Sequence, residues 1–216
     1  VDPDGQWIFC GHPGAEDSMP EEIQREGYHT GKADNATAFA VYRNTLYCTH
    51  VYRTGAFVYE GGTSWKHIGP EHRLLSFVVY HDRFYALVNG GQVLRYEGGS
   101  DWSFCGHPET STQTYSAVIH AGQLYVGTWP EGQVYRYAGG ETWELLGRVG
   151  YEREIMAMAL YNGKVYIGSL PMANVWRLDG GRFTFLETLD QSSAPLRRVW
   201  SMAVFGGRLY AGTLPS

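Results

Sequence analysis

Cysteine is scarce. Three in 216 residues cannot all pair, and Cys10 and Cys105 fall at matching places of different repeats, too far apart for a bridge, so free thiols serving as small hydrophobes are expected rather than a disulfide framework. Charge is scarce too. Asp, Glu, Lys and Arg make up 18% of the chain, its net charge is −5, and Lys and Arg form no cluster. That excludes a nucleic-acid partner and an anionic membrane surface, both of which need a basic face. No apolar run approaches the roughly 20 residues of a bilayer-crossing helix, and no signal peptide is visible. There is no Cys-x-x-Cys or His-Glu-x-x-His spacing, so neither a metal nor another cofactor is expected. No nucleophile elbow occurs, and no glycine loop leads into a helix to cradle phosphate. A helical period of 3.6 is missing throughout.

Glycine and aromatics are plentiful: 28 Gly residues, and 15% Phe, Trp and Tyr. They recur at fixed places. Leu46-Tyr47, Phe84-Tyr85, Leu124-Tyr125, Val165-Tyr166 and Leu209-Tyr210 follow one another at spacings of 38, 40, 41 and 44 residues. Gly61-Gly62, Gly98-Gly99, Gly139-Gly140 and Gly180-Gly181 come after the first four, each leading to an aromatic: Trp65, Trp102, Trp143 and Phe183. Apolar residues alternate with polar ones between these turns, which is the pattern of short antiparallel strands joined by hairpins. Four strands in roughly 40 to 45 residues make a β-propeller blade. The expectation is an all-β propeller of five recognisable four-stranded blades, one domain over residues 1–216, with the repeat tyrosines on second strands and Trp7, Trp65, Trp102, Trp143 and Phe183 opening outer strands.

The ring is expected to close by bringing N- and C-terminal strands together. Val1 to Gly5 aligns with the tail of a third strand, and the chain stops after a second strand at Ala211-Gly-Thr-Leu-Pro-Ser216. One third strand is unaccounted for, and the expectation is that the native polypeptide extends beyond these boundaries. The connection after Trp7 is the longest: 35 residues to Tyr42, against 15, 18, 18 and 22 for the later ones. Its acidic insertion, Gly11 to Asp34, stands where a binding loop or a solvated loop would be.

A candidate site comes from aligning the repeats. Residues leading into the innermost strands form a polar ring: Asp34-Asn35, His72-Arg73, Thr112-Gln113, Arg153-Glu154 and Arg197-Arg198. Next come Thr37, Leu75, Tyr115, Met156 and Trp200, different in every copy, and then Ala38, Ser76, Ser116, Ala157 and Ser201, always small. Small residues suit a crowded axis and a varied ring above them suits a ligand mouth. Loops on the same rim add His50, Tyr52, Asn89, Trp129, Glu131 and Asn174. The ligand-binding candidates are therefore Asn35, His50, His72, Arg73, Gln113, Tyr115, Trp129, Glu131, Arg153, Glu154, Arg198 and Trp200.

Glu60-Gly-Gly-Thr-Ser-Trp65, Glu97-Gly-Gly-Ser-Asp-Trp102 and Ala138-Gly-Gly-Glu-Thr-Trp143 resemble the Asp-box of sialidase-type propellers, with Glu or Ala in place of its Asp. The Gly-Gln-Leu-Tyr-Val-Gly-Thr run is similar to kelch repeats. The resemblance implies architecture; the Asp-box is a structural turn in that family, and no catalytic residue carries over. Two functions follow as expectations. One is a non-catalytic binding propeller for a small polar ligand or glycan, lectin-like, or a platform for a protein partner. The alternative is a glycan-processing hydrolase or lyase with carboxylates such as Glu131, Glu152 and Glu154 at the axis. Asn35-Ala-Thr37 fits a glycosylation acceptor, which an extracellular location would suit.

Overall fold

The computed structural model describes residues 4–13, 36–50 and 53–215. Asn35, which opens the glycosylation tripeptide, the body of the insertion and Tyr52 lie outside them. Every described element is a strand. The first sheet holds β1 (Ala36–Tyr42), β2 (Thr45–His50), β3 (Ala56–Gly61) and β4 (Ser64–His67). The second holds β5 (Leu74–Tyr80), β6 (Arg83–Val88), β7 (Val93–Gly98) and β8 (Asp101–Phe104). The third holds β9 (Gln113–His120), β10 (Gln123–Trp129), β11 (Gln133–Gly139) and β12 (Thr142–Arg148). The fourth holds β13 (Glu154–Tyr161), β14 (Lys164–Leu170), β15 (Asn174–Asp179) and β16 (Arg182–Thr188). The last has two strands, β17 (Arg197–Phe205) and β18 (Arg208–Pro215). All neighbours within a sheet are antiparallel and consecutive in sequence.

The first hairpin of each sheet turns in two residues. Arg43-Asn44, His81-Asp82, Ala121-Gly122, Asn162-Gly163 and Gly206-Gly207 all have positive φ, the geometry whose twist matches two right-twisted strands. The repeat tyrosines lie on second strands, and Trp65, Trp102, Trp143 and Phe183 lie in outer strands, as the spacing predicts.

The core is divided into slabs between successive sheets. Tyr42, Tyr47, Leu74 and Phe84 fill the first, Tyr85, Leu87, Leu124 and Tyr135 the second, and Val134, Ile155, Val165 and Ile167 the third. The fourth is small, built on Ala173, Val175 and Val199. The inner strands therefore pack in chain order, β1, β5, β9, β13 and β17.

Two repeated hydrogen bonds lock the slabs. At the axis end, the Tyr42, Tyr80 and Tyr161 hydroxyls donate to the Asp82, Gly122 and Gly207 carbonyls at 3.1, 3.0 and 2.9 Å, each in the next sheet's first turn. His120 takes the same place, with Nε2 3.0 Å from the Gly163 oxygen. At the outer edge, the indoles of Trp65, Trp102 and Trp143 donate to the carbonyls of Cys10, Ile68 and Cys105 at 2.7, 2.9 and 2.8 Å. The acceptor is always followed by glycine. At Gly106, with φ of 94°, a Cβ would fall 2.1 Å from the Glu141 oxygen and 2.9 Å from the Trp143 ring, so only glycine lets the sheets approach this closely. The twice-occurring Cys-Gly-His-Pro is this joint.

Four expectations are not met as stated. The five four-stranded blades are four four-stranded sheets and a fifth of two strands. Ring closure is not found among the described residues: residues 6–12 are in no strand and pair with neither β17 nor β18. Trp7 lies in no strand and is 93% exposed, with no sheet preceding it among the described residues. The thiols are free, yet only Cys48 and Cys105 are buried; Cys10 is exposed. Burial pushes the Cys48 thiol up to about 12, so it is an inert hydrophobe rather than a nucleophile.

Candidate functional site

Each inner strand carries one residue outside the pairing ladder. The register skips between Ala36 and Ala38, Leu74 and Ser76, Thr114 and Ser116, Ile155 and Ala157, and Val199 and Ser201. The bulged residues are Thr37, Leu75, Tyr115, Met156 and Trp200, the ring that varies from copy to copy. A bulge frees its residue from the alternation that assigns neighbours to one face or the other, and it re-aims the side chain. Beneath the ring, the Ser116 hydroxyl donates to the Ile155 carbonyl at 2.8 Å, and that of Thr49 on β2 to the Leu74 carbonyl on β5 at 3.3 Å, which pins neighbouring sheets together.

Side chains of the third to fifth sheets form a distinct group. Tyr115 of β9 meets Trp200 of β17 edge to face, centroids 6.2 Å apart, reaching past the fourth sheet. The Arg198 guanidinium lies 5.6 Å from the Trp200 ring centre. Glu154, 7% exposed at the start of β13, belongs to the same group. Burial pushes its carboxyl up to about 7, and the positive charge of Arg198 limits the rise. The arrangement offers two aromatic faces, a guanidinium fork and a carboxyl able to donate or accept a proton near neutrality.

Beside it is a second group. Arg153 stands 4.5 Å over the Trp129 ring. Gln113 Nε2 donates to Asn89 Oδ1 at 2.8 Å, and Gln113 pairs with Trp129 across β9 and β10. Glu152, 3% exposed, accepts from Asn174 Nδ2 at 2.5 Å on one oxygen, and its Oε2 is buried without a hydrogen bond. Thr188 orients Asn174 through a 2.6 Å bond to Oδ1.

Other candidates stand apart. His50 is a core residue, its ring 5.1 Å from that of Phe57 and nearly perpendicular to it; the apolar slab claims it. His72 is exposed, and it is its carbonyl that makes the contact, taking the Gly55 N–H at 2.8 Å. Arg73 likewise accepts the Asn89 N–H at 2.9 Å through its backbone, with a half-buried side chain. Glu131 turns to Arg148, 3.5 Å away at the end of β12, and leaves the axis. Asn35 lies outside the described residues. Among those described, no group of His, Cys, Asp and Glu could hold a metal ion.

Sequence reasoning missed the opposite rim. A groove of about 540 Å³ lies there between the second and third sheets, and one of about 370 Å³ between the first and second. A signal for the larger one existed: the residue before each Gly-Gly turn is Glu60, Glu97 or Asp179, but Ala138 in the third sheet.

No family model matches the chain and no curated protein resembles it by sequence. Solved structures do share the fold. The extracellular domain of the two-component-system protein BT4673 from B. thetaiotaomicron superposes with a TM-score of 0.64 at 14% identity, over 83% of this chain and 26% of that one. A structure of the nidogen/laminin complex gives 0.61 at 12% identity, over 83% and 72%. Virginiamycin B lyase from Staphylococcus aureus, solved as an inactive variant with quinupristin, gives 0.59 at 10% identity, over 87% and 73%. The chain thus spans about a quarter of the BT4673 structure. These neighbours are β-propeller-type folds, and the sheets described above are propeller-like; nothing in the likeness is specific to Asp-box or kelch proteins.

Proposed function

We propose that the chain is a non-catalytic ligand-binding propeller whose axial mouth takes a small polar ligand, a glycan by preference. One observation carries this reading: Tyr115, Glu154, Arg198 and Trp200, from three different sheets, converge beside the bulges. A sugar presents apolar ring faces and hydroxyls together, and aromatic faces beside a guanidinium and a carboxyl answer both. The proposal includes a ring in which residues 7–10 stand where the outer strand of a sheet preceding the first would be. Cys10 accepts from Trp65 just as Ile68 and Cys105 accept from Trp102 and Trp143, which supports that placement.

Among the neighbours one structure is a complex with laminin and another holds quinupristin, so the fold serves protein and small-molecule partners. Polar groups drawn inward at the mouth favour the small ligand over a protein surface, which would need an apolar patch there. A glycan-array screen followed by calorimetry tests it. Trp200→Ala and Arg198→Ala should each weaken the best hit about tenfold or more. Unchanged affinity in both would remove the site from the mouth.

An enzymatic reading draws on Glu154 alone, whose carboxyl at about 7 suits proton transfer near neutral pH. Turnover of the bound glycan, abolished in Glu154→Gln with binding retained, would establish it in place of simple binding.

A further inference from the structure

The two grooves on the far rim are copies of one another, and comparing them isolates a difference in charge. In the groove between the first and second sheets, Tyr42, Tyr96 and Glu97 line the wall. The matching positions between the second and third sheets are Tyr80, Tyr137 and Ala138. The smaller groove sets two guanidiniums, Arg43 and Arg83, against two carboxylates, Asp82 and Glu97. The larger sets three, Arg83, Arg95 and Arg136, against the single carboxylate of Glu144. In a chain of net charge −5 this is a local reversal of sign.

Nearby carboxylates offset only part of it, since Arg83, Arg95 and Arg136 share Glu97 and Glu144. Glu97 serves Arg95, its own strand's arginine, at 2.5 Å. Arg136 has no acid two residues on, where Arg177 finds Asp179 at 2.6 Å, and pairs across the strand with Glu144 instead. Arg83 opens β6 on the groove wall, is exposed, and makes no salt bridge among the described residues. Ala138, exposed on the groove wall, stands where the other three such turns carry an acid.

We infer that this groove is an anion site, separate from the axial mouth, which takes a small oxyanion, a carboxylate or a phosphate, on Arg83 with Arg95 beside it. A guanidinium presents parallel N–H donors that meet two oxygens at once, and Arg83 makes no salt bridge among the described residues. The tyrosines of the wall leave room for a ring attached to the anion. The carboxylate absent at position 138 is what the ligand supplies.

The test uses glucuronate and inorganic phosphate as probes, with glucose as the neutral control, followed by calorimetry on the full chain. At least one anion should bind saturably, weaken with added salt and leave glucose silent. Whichever binds identifies the source of the oxyanion. Ala138→Glu restores the acid that the first and second sheets already carry at this place, and it should weaken binding about tenfold or more. Arg83→Gln, at an exposed position, should do so several-fold, while Trp200→Ala should have no effect. That last variant separates this site from the mouth, so either can fail alone. Absence of saturable binding by both anions, or an unaltered affinity in Ala138→Glu and Arg83→Gln, would overturn the inference.

Discussion

Glu154 couples the mouth to pH. Its carboxyl keeps a proton up to about pH 7 in the folded chain, whereas the ordinary value is 4.5. Between those two values the folded state binds the extra proton, so stability is greatest below about 4.5 and falls as the pH rises to 7. The slope corresponds to about 3 kcal/mol over the whole interval. Glu154→Gln should flatten that decline and make the chain more stable than wild type above pH 7, measured as the midpoint of urea unfolding across pH 4 to 8. A parallel decline in the variant would place the ionising group elsewhere. The same substitution separates the binding and enzymatic readings, since it keeps the shape of the side chain and removes its proton transfer.

At the level of the element, the outer strands are joined by one recurrent donor. Trp65, Trp102 and Trp143 each reach the carbonyl three residues past the preceding aromatic position. Phe183 takes that place in β16 with its ring against Gly147, 3.2 Å from where a Cβ would be, and has no N–H to give. Phe183→Trp should therefore raise the melting temperature by adding a bond to the Leu146 carbonyl, and Trp143→Phe should lower it, each by the equivalent of about 1 kcal/mol. Equal melting temperatures in all three proteins would mean that the indole N–H does no more than water would. These aromatics were legible in the sequence as strand markers, because alternation and turn glycines set their register. Their half-buried surroundings were not: Trp102 and Trp143 are only partly buried and pack at the edges of their slabs. Trp7 shares their sequence context and none of their packing, which shows that a repeat motif reports position in the unit and not the presence of a neighbour.

Across the molecule, burial is uneven. Three slabs are thick and aromatic or branched, and the fourth rests on Ala173, Val175 and Val199. Val204, Phe205, Tyr210 and Leu214 on the last sheet are exposed. Amide exchange should be slowest in β6, β10 and β14 and fastest in β17 and β18, since opening the last sheet exposes little further apolar surface. Uniform protection would show that the last sheet folds as one unit with the rest. The varied ring at the mouth was visible from the repeat alignment alone, because its members break a pattern that their neighbours keep. That it coincides with the bulges was invisible, since a bulge is a relation between two strands and leaves no mark on either. The packing of His50 against Phe57 and the turn of Glu131 to Arg148 were invisible for a related reason: the strand number places a residue on a rim but does not say which neighbour its side chain meets.

The joints between sheets have one further property. Both repeated bonds end on peptide oxygens, of Cys10, Ile68 and Cys105 at the outer edge and of Asp82, Gly122 and Gly207 at the axis. A peptide oxygen is present whatever residue supplies it, so the acceptor side of each joint asks almost nothing of its side chains beyond the glycine that lets the ring approach. Units fastened this way are interchangeable parts. A copy can be duplicated, dropped or moved along the row and still find its mate, and its loops are free to diverge in chemistry without loosening the row.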